Sequence, residues 1–197
     1  MKIAVIIGSL TPPGRFNSAI DWMIGEAKKE FPDVDVDLIH LYDFKVSMAD
    51  GRPLPDYGDD TEKVINTVID ADGIIFATPI YRAAPTAALK NVLDQTPPEG
   101  LSGKPVGLLS IGARETHYLA METMLRPVLS WFGAMTLPVA GFLRNDMFTD
   151  GKLVDPDGQE ELLNLFRTLV EVTKATDGIT YSLKSLPNRI LPPHVKT

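Results

Sequence analysis

The sequence predicts a doubly wound α/β domain, a parallel sheet with helices on both faces, and three observations carry that prediction. Apolar runs of strand length alternate along most of the chain with segments whose apolar residues recur at helical spacing. Three of the runs, "KIAVIIG" (2–8), "GIIFATP" (73–79) and "PVGLLSIG" (105–112), are nearly continuous, the pattern of parallel strands covered on both faces. The run "VDVDLIHL" (34–41) alternates instead, which suits an edge strand with one wetter face.

Taken in order, the strands are 2–8, 34–41, 73–79, 105–112 and a fifth, "TLPVAGFL" (136–143). Helices are expected at 17–30, 60–71, 85–95, 116–133 and 159–175. Asn17 or Ser18 is the expected cap of the first and Asp60 or Thr61 of the second, while Asp157 lies just ahead of the fifth. The sum is five βα units without repeat or linker. A Pro/Gly/Asp-rich stretch, "MADGRPLPDYGDD" (48–60), reads as ordered surface loop. The organisation expected is one domain over residues 1–180 and a proline-containing tail over 181–197 that docks on a neighbour or stays mobile.

Composition narrows the function. The 197 residues, 44% apolar, suffice for one buried core and little more. A formal charge of -7 argues against a nucleic-acid or anionic-membrane surface, but leaves room for one local pocket that takes a small anion. The chain has no cysteine, so disulfides, thiolate catalysis and cysteine-ligated metal are excluded by inventory, and redox chemistry has to come from a bound cofactor. The opening "MKIAVII" is too short for a signal-peptide core and no apolar run reaches the ~20 residues of a membrane span, which makes a cytoplasmic location the expectation. His40, His117 and His194 show no metal-ligand spacing, and the acidic residues of 56–62 read as a solvated helix entrance, so no metal site is expected.

In an open parallel sheet the ligand sits beyond the carboxyl ends of the strands where strand order reverses, and three loops fall there. The first, "GSLTPPGRFNSAI" (8–20), offers the hydroxyls of Ser9, Thr11 and Ser18, the amide of Asn17 and the fixed cation of Arg15, ahead of the N–H groups of a helix entrance. That set suits a phosphate monoester; a flexible connection with a surface arginine is the competing reading. It contains neither GxxxxGK[ST] nor GxGxxG, which removes triphosphate hydrolysis and weakens a dinucleotide site. The second loop, opening "TPIYR", puts the Tyr81 ring and the backbone of Pro79 and Ile80 where a flat heterocycle could lie, with Arg82 beside them; a core-closing tyrosine and a solvated arginine are the alternative. The third, "SIGAR", supplies Gly112 for close backbone approach and N–H groups at Gly112 and Ala113 that can face a carbonyl edge.

The stretches "GSLTPPGRFNSA", "TPIYRAAPTAALKNVLD" and "THYLAMETMLRPVL" resemble the signature segments of the NAD(P)H-dependent FMN reductase family, especially the alkanesulfonate-type reductases that feed reduced flavin to monooxygenases. The likeness runs over about residues 1–145. It implies a flavodoxin-like three-layer sandwich whose five-stranded parallel sheet has the order 2-1-3-4-5, with FMN at its edge. Carried over, the family's phosphate loop falls on Ser9, Arg15, Asn17 and Ser18, its isoalloxazine loop on Pro79, Ile80, Tyr81 and Arg82, and its glycine loop on Gly112 and Ala113. Two departures stand out: Arg82 replaces the commoner Asn or Lys, and "APTAAL" lacks a glycine before its leucine-lysine pair. Some members carry a tyrosine in a π-bulge of the following helix; here the neighbourhood is "METM" around Thr123, so no bulge is expected.

The implied activity is hydride transfer from NADPH or NADH to flavin N5, which needs two aligned rings and no acid–base residue. Arg114 is a candidate for the reduced flavin's charge or for the nicotinamide cofactor's phosphates, with a plain exposed arginine as the alternative. The other readings are an FMN-bound quinone, azo or metal-oxyanion reductase and a flavodoxin-like electron carrier. The single aromatic of "TPIYRAAP" favours a reductase, because a carrier shields both faces of its flavin. The apolar breadth of 116–133 predicts packing between subunits, a dimer and from it a tetramer.

Overall fold

A computed structural model of the chain describes residues 1–179. The strands are β1 (Lys2–Ile7), β2 (Asp35–His40), β3 (Gly73–Pro79), β4 (Pro105–Gly112), β5 (Met135–Thr136) and β6 (Gly141–Arg144), and the sheet order is β2-β1-β3-β4-β5, with β6 also paired to β4. Every pairing in this sheet is parallel. The helices are α1 (Arg15–Glu30), α2 (Thr61–Asp70), α3 (Ala87–Gln95), α4 (Arg126–Phe132) and α5 (Pro156–Thr176). Inward-pointing residues alternate along the central strands, which explains the three layers. Ile3, Val5 and Ile7 of β1 join a core with α1 and α5, whereas Ala4 and Ile6 join a second core with α2, α3 and α4. Each buried Ile or Val of that kind contributes roughly 1.5–3 kcal/mol.

The continuous runs are β1, β3 and β4, all central and almost wholly buried, and β2 is an edge strand. Its alternation is imperfect: Leu38 stands 38% exposed while Ile39 and His40 are both buried. The fifth strand is broken. The Leu137 N–H still meets the Val106 carbonyl of β4 (2.9 Å), but Pro138 has no N–H to give a ladder, and residues 138–140 leave the sheet between β5 and β6. Arg126 holds the break in place, with Nη1 donating to Thr136 Oγ1 (2.7 Å) and to the Leu137 carbonyl (2.8 Å). From the other face, Glu161 of α5 accepts the Phe142 N–H of β6 (2.7 Å); burial pushes its carboxyl up and that hydrogen bond opposes the rise. A short hairpin of β7 (Phe148–Thr149) and β8 (Lys152–Leu153) follows, which the apolar pattern does not announce.

Helix ends correct several expectations. Helix α1 starts at Arg15 with Gly14 as its cap, so Asn17 and Ser18 are inside it; Asn17 reaches back to accept the Gly14 N–H (3.3 Å). Asp60 is the N-cap residue of α2, as expected, but its side chain makes no cap bond and Asp59 Oδ1 accepts the Thr61 N–H (2.9 Å); Asp155 caps α5 through the Gly158 N–H (2.8 Å). The segment 116–133 is not one helix. A 3-10 turn (Glu115–Tyr118) leads into a π-turn (Met121–Leu125) and then α4. A segment without that tyrosine gives no reason to expect a π-turn, yet the Arg126 N–H bonds the Met121 carbonyl five residues back. Pro127 has no N–H with which to restore the α register, and the Thr123 hydroxyl donates to the Leu119 carbonyl (2.8 Å). The 48–60 loop is tied down: Asn91 Oδ1 accepts the Ala49 N–H (2.9 Å), and Asp59, held down to about 2 by the Ser47 hydroxyl and then by Thr61, anchors its far end. The expected tail, 181–197, and His194 within it lie outside the described residues.

Candidate functional site

Strand order reverses between β1 and β3, and there the loop after β1 turns toward α1 while the loop after β3 turns toward α3 on the opposite face. The parting leaves a cleft of about 360 Å³ lined by Ser9, Thr11, Pro12, Gly14, Arg15, Phe16, Asn17, Pro79, Ile80, Tyr81, Ile111, Gly112, Ala113 and Asn145. Nine of the residues expected from sequence therefore meet in one place: Ser9, Thr11, Arg15, Asn17, Pro79, Ile80, Tyr81, Gly112 and Ala113. Ser18, Arg82 and Arg114 are not brought to its lining. Ser18 is in the first turn of α1, its N–H on the Gly14 carbonyl (3.0 Å), and the two arginines are exposed.

The first loop is built around a buried hydroxyl. Ser9, 4% exposed, shares a hydrogen bond with the Thr11 hydroxyl (2.8 Å) and accepts the Thr11 N–H (3.2 Å), which curls the chain toward α1. The first N–H groups of α1 have no intrahelical acceptors and open toward the same end. Arg15 stands at that entrance without a carboxylate partner among the described residues. The cleft lining contains this one arginine and no carboxylate, in a chain of formal charge -7. A larger cavity, about 550 Å³ between Leu137–Gly141 and α5, is lined by Asp157, Glu160 and Glu161 and repels an anion.

The second loop differs from the sequence expectation in its hydrogen bonds. Pro79 has no N–H, the Ile80 N–H goes to the Ile111 carbonyl (3.0 Å) and the Tyr81 N–H to the Ala84 carbonyl (3.0 Å). Their N–H groups are spent on structure, so this loop offers a wall and an aromatic face. The return bond from Ala84 N–H to the Tyr81 carbonyl (3.1 Å) closes a two-residue turn in which Arg82 (φ 54) and Ala83 (φ 63) are both left-handed. Such a conformation costs a non-glycine residue roughly 1–2 kcal/mol, and the turn aims Arg82 outward. Ala83→Gly is expected to raise unfolding stability by about 0.5–1 kcal/mol, read as a higher urea midpoint at unchanged slope.

The third loop is where backbone comes closest. A Cβ on Gly112 would lie 2.8 Å from His117 Cβ, 2.9 Å from His117 Nδ1 and 3.0 Å from Phe142 Cε2. Only glycine leaves the turn seated against that histidine, whose Nδ1 is buried without a hydrogen-bond partner. With the second loop's amides engaged and Gly112 paired with Arg144 at the end of β4, Ala113, just beyond the strand, is the backbone that remains for a polar ring edge. Sequence reading missed Asn145. It lies directly after β6, and its position at the carboxyl end of a sheet strand was the available signal.

The family model for NADPH-dependent FMN reductase matches residues 1–147. The chain belongs to that family. Among its relatives, an NAD(P)H-dependent FAD/FMN reductase of Geobacillus thermodenitrificans is 37% identical over 166 residues, 84% of this chain and 89% of that protein. An FMN reductase (NADPH) of Escherichia coli is 31% identical over 137 residues, 66% of each. Of solved structures, the apo form of an NADH:FMN oxidoreductase superposes with TM-score 0.71 at 26% identity, covering 87% of this chain and 89% of that one. An archaeal flavodoxin, at TM-score 0.58 and 15% identity over 88% of this chain and 99% of that one, shares the fold alone. The protein is thus a flavodoxin-like oxidoreductase with FMN and NADPH or NADH as its cofactors.

Proposed function

We propose that the cleft between β1 and β3 seats FMN and that the protein releases reduced flavin to a second enzyme, a monooxygenase in the simplest case. The observation that carries the site is electrostatic: one arginine, hydroxyls and a helix entrance, with no carboxylate, in an acidic chain. When bound, FMN supplies a hydride acceptor that the chain itself lacks. Ser9, Thr11, Asn17 and the α1 entrance hold the phosphate, and Arg15 adds a charge-assisted contact. Ile80 and Tyr81 form the wall against the ring, Gly112 lets the backbone approach it, and the Ala113 N–H donates to its polar edge. No side chain needs to move a proton. Release of product is supported by the openness of the ring side, where Tyr81 is the single aromatic of its loop and is itself 49% exposed.

Anaerobic oxidation of NADPH and NADH, followed without and then with excess free FMN, FAD, quinone or azo dye, tests this. Strong stimulation by free FMN is expected. Stimulation by quinone or dye alone would replace flavin release by a reductase that keeps its FMN, and no nicotinamide oxidation at all would leave an electron carrier. The same proposal includes a homodimer that pairs into a tetramer, since Leu119, Met124 and Trp131 stand 57%, 51% and 47% exposed along one segment. Sedimentation equilibrium showing a monomer at all concentrations would contradict it. No helix among the described residues is long and apolar enough to cross a membrane, which is compatible with a cytoplasmic site of action.

A further inference from the structure

The two loops that face each other across the cleft are joined by a side chain outside its lining. Thr86, 7% exposed, is the N-cap of α3: its hydroxyl oxygen accepts the Leu89 N–H (3.2 Å) while its proton is donated to the Gly8 carbonyl. The Thr86 N–H in turn donates to Thr78 Oγ1 (3.2 Å), and the fully buried Thr78 hydroxyl donates to the Pro79 carbonyl (3.0 Å). Gly8 opens the loop that carries Ser9 and Thr11, and Pro79 opens the loop that carries Ile80 and Tyr81. Close packing reinforces the link, because a Cβ on Gly8 would lie 2.6 Å from Leu89 Cβ.

We infer that Thr86 is a positioning residue that couples the phosphate side of the cleft to its ring side, so that an occupied first loop sets the place of the second. The inference rests on the FMN reading above. A threonine hydroxyl has one donor and two lone pairs, and here the donor meets one loop while a lone pair holds the helix that continues the other. Valine keeps the volume and supplies neither, leaving the Gly8 carbonyl and the Leu89 N–H without those partners. A helix cap alone would affect stability without regard to ligand. Coupling makes a sharper demand, because the phosphate-dependent part of the affinity has to fall.

The test titrates FMN and riboflavin against wild type, Thr86→Val, Thr86→Ser and Asp155→Ala, the last removing the cap of α5, a residue outside the cleft lining. The ratio of FMN to riboflavin affinity is expected to fall about tenfold in Thr86→Val and to stay near wild type in Thr86→Ser and Asp155→Ala. Amide exchange on the unaltered protein supplies a second measurement that needs no variant to fold. FMN is expected to slow exchange at Leu89 and Thr86 more than riboflavin does. A folded Thr86→Val with the full ratio, or equal protection of Leu89 by both ligands, overturns the coupling. Equal affinities of wild type for the two ligands would instead overturn the phosphate-loop reading, and the coupling with it.

Discussion

FMN is expected to bind at least tenfold more tightly than riboflavin, and Arg15→Ala to erase most of that difference while leaving riboflavin almost untouched. A charge-assisted hydrogen bond is worth roughly 1.5–3 kcal/mol, and 1.4 kcal/mol is already about a factor of ten. Arg15 is exposed at the head of α1, so the lower end of that range applies and the effect is screened by salt. Raising ionic strength should therefore weaken FMN and spare riboflavin. Flavin fluorescence quenching measures both. An Arg15→Ala variant with unchanged preference for FMN would return Arg15 to the status of a surface charge.

Gly8→Ala carries the second large effect. Its new Cβ would stand 2.6 Å from Leu89 Cβ and 3.1 Å from Thr86 Oγ1, and Leu89 Cβ cannot move without α3. Backbone φ is not the obstacle at this position, so the cost is overpacking, about 1–3 kcal/mol of stability. Because the displaced parts are the two walls of the cleft, FMN affinity should fall by at least about tenfold as well. Urea unfolding and flavin titration on the same preparation separate the two losses. Wild-type stability and affinity in Gly8→Ala would show that α3 and the first loop are not in contact as described.

How far the sequence discloses this molecule follows from which forces are local. Strands β1, β3 and β4 are legible because burial on both faces writes itself as an unbroken apolar run, and the three loops follow from their carboxyl ends. What escapes is set by partners distant in sequence. Arg126 and Glu161 hold the strand break at 138–140 from two different helices, and nothing in "TLPVAGFL" names either. The π-turn at Met121–Leu125 depends on a missing N–H at Pro127, a signal present in "MLRPVL" but hidden by its strong helical periodicity. Within the site, residue types were readable and hydrogen-bond partners were not. The amides of Ile80 and Tyr81 face Ile111 and Ala84, and the turn that occupies the second leaves Arg82 exposed and outside the cleft lining. Thr86 reads as an ordinary helix cap until its proton is traced to Gly8, 78 residues earlier.

Whether the three loops form one FMN site is decided by a crystal structure of the protein with FMN. Phosphate is expected against Ser9, Thr11, Asn17 and the entrance of α1, with the ring between Ile80 and Tyr81 on one side and Gly112 and Ala113 on the other. Density for FMN outside the β1/β3 cleft, as in the acidic cavity beneath Leu137–Gly141, would contradict it.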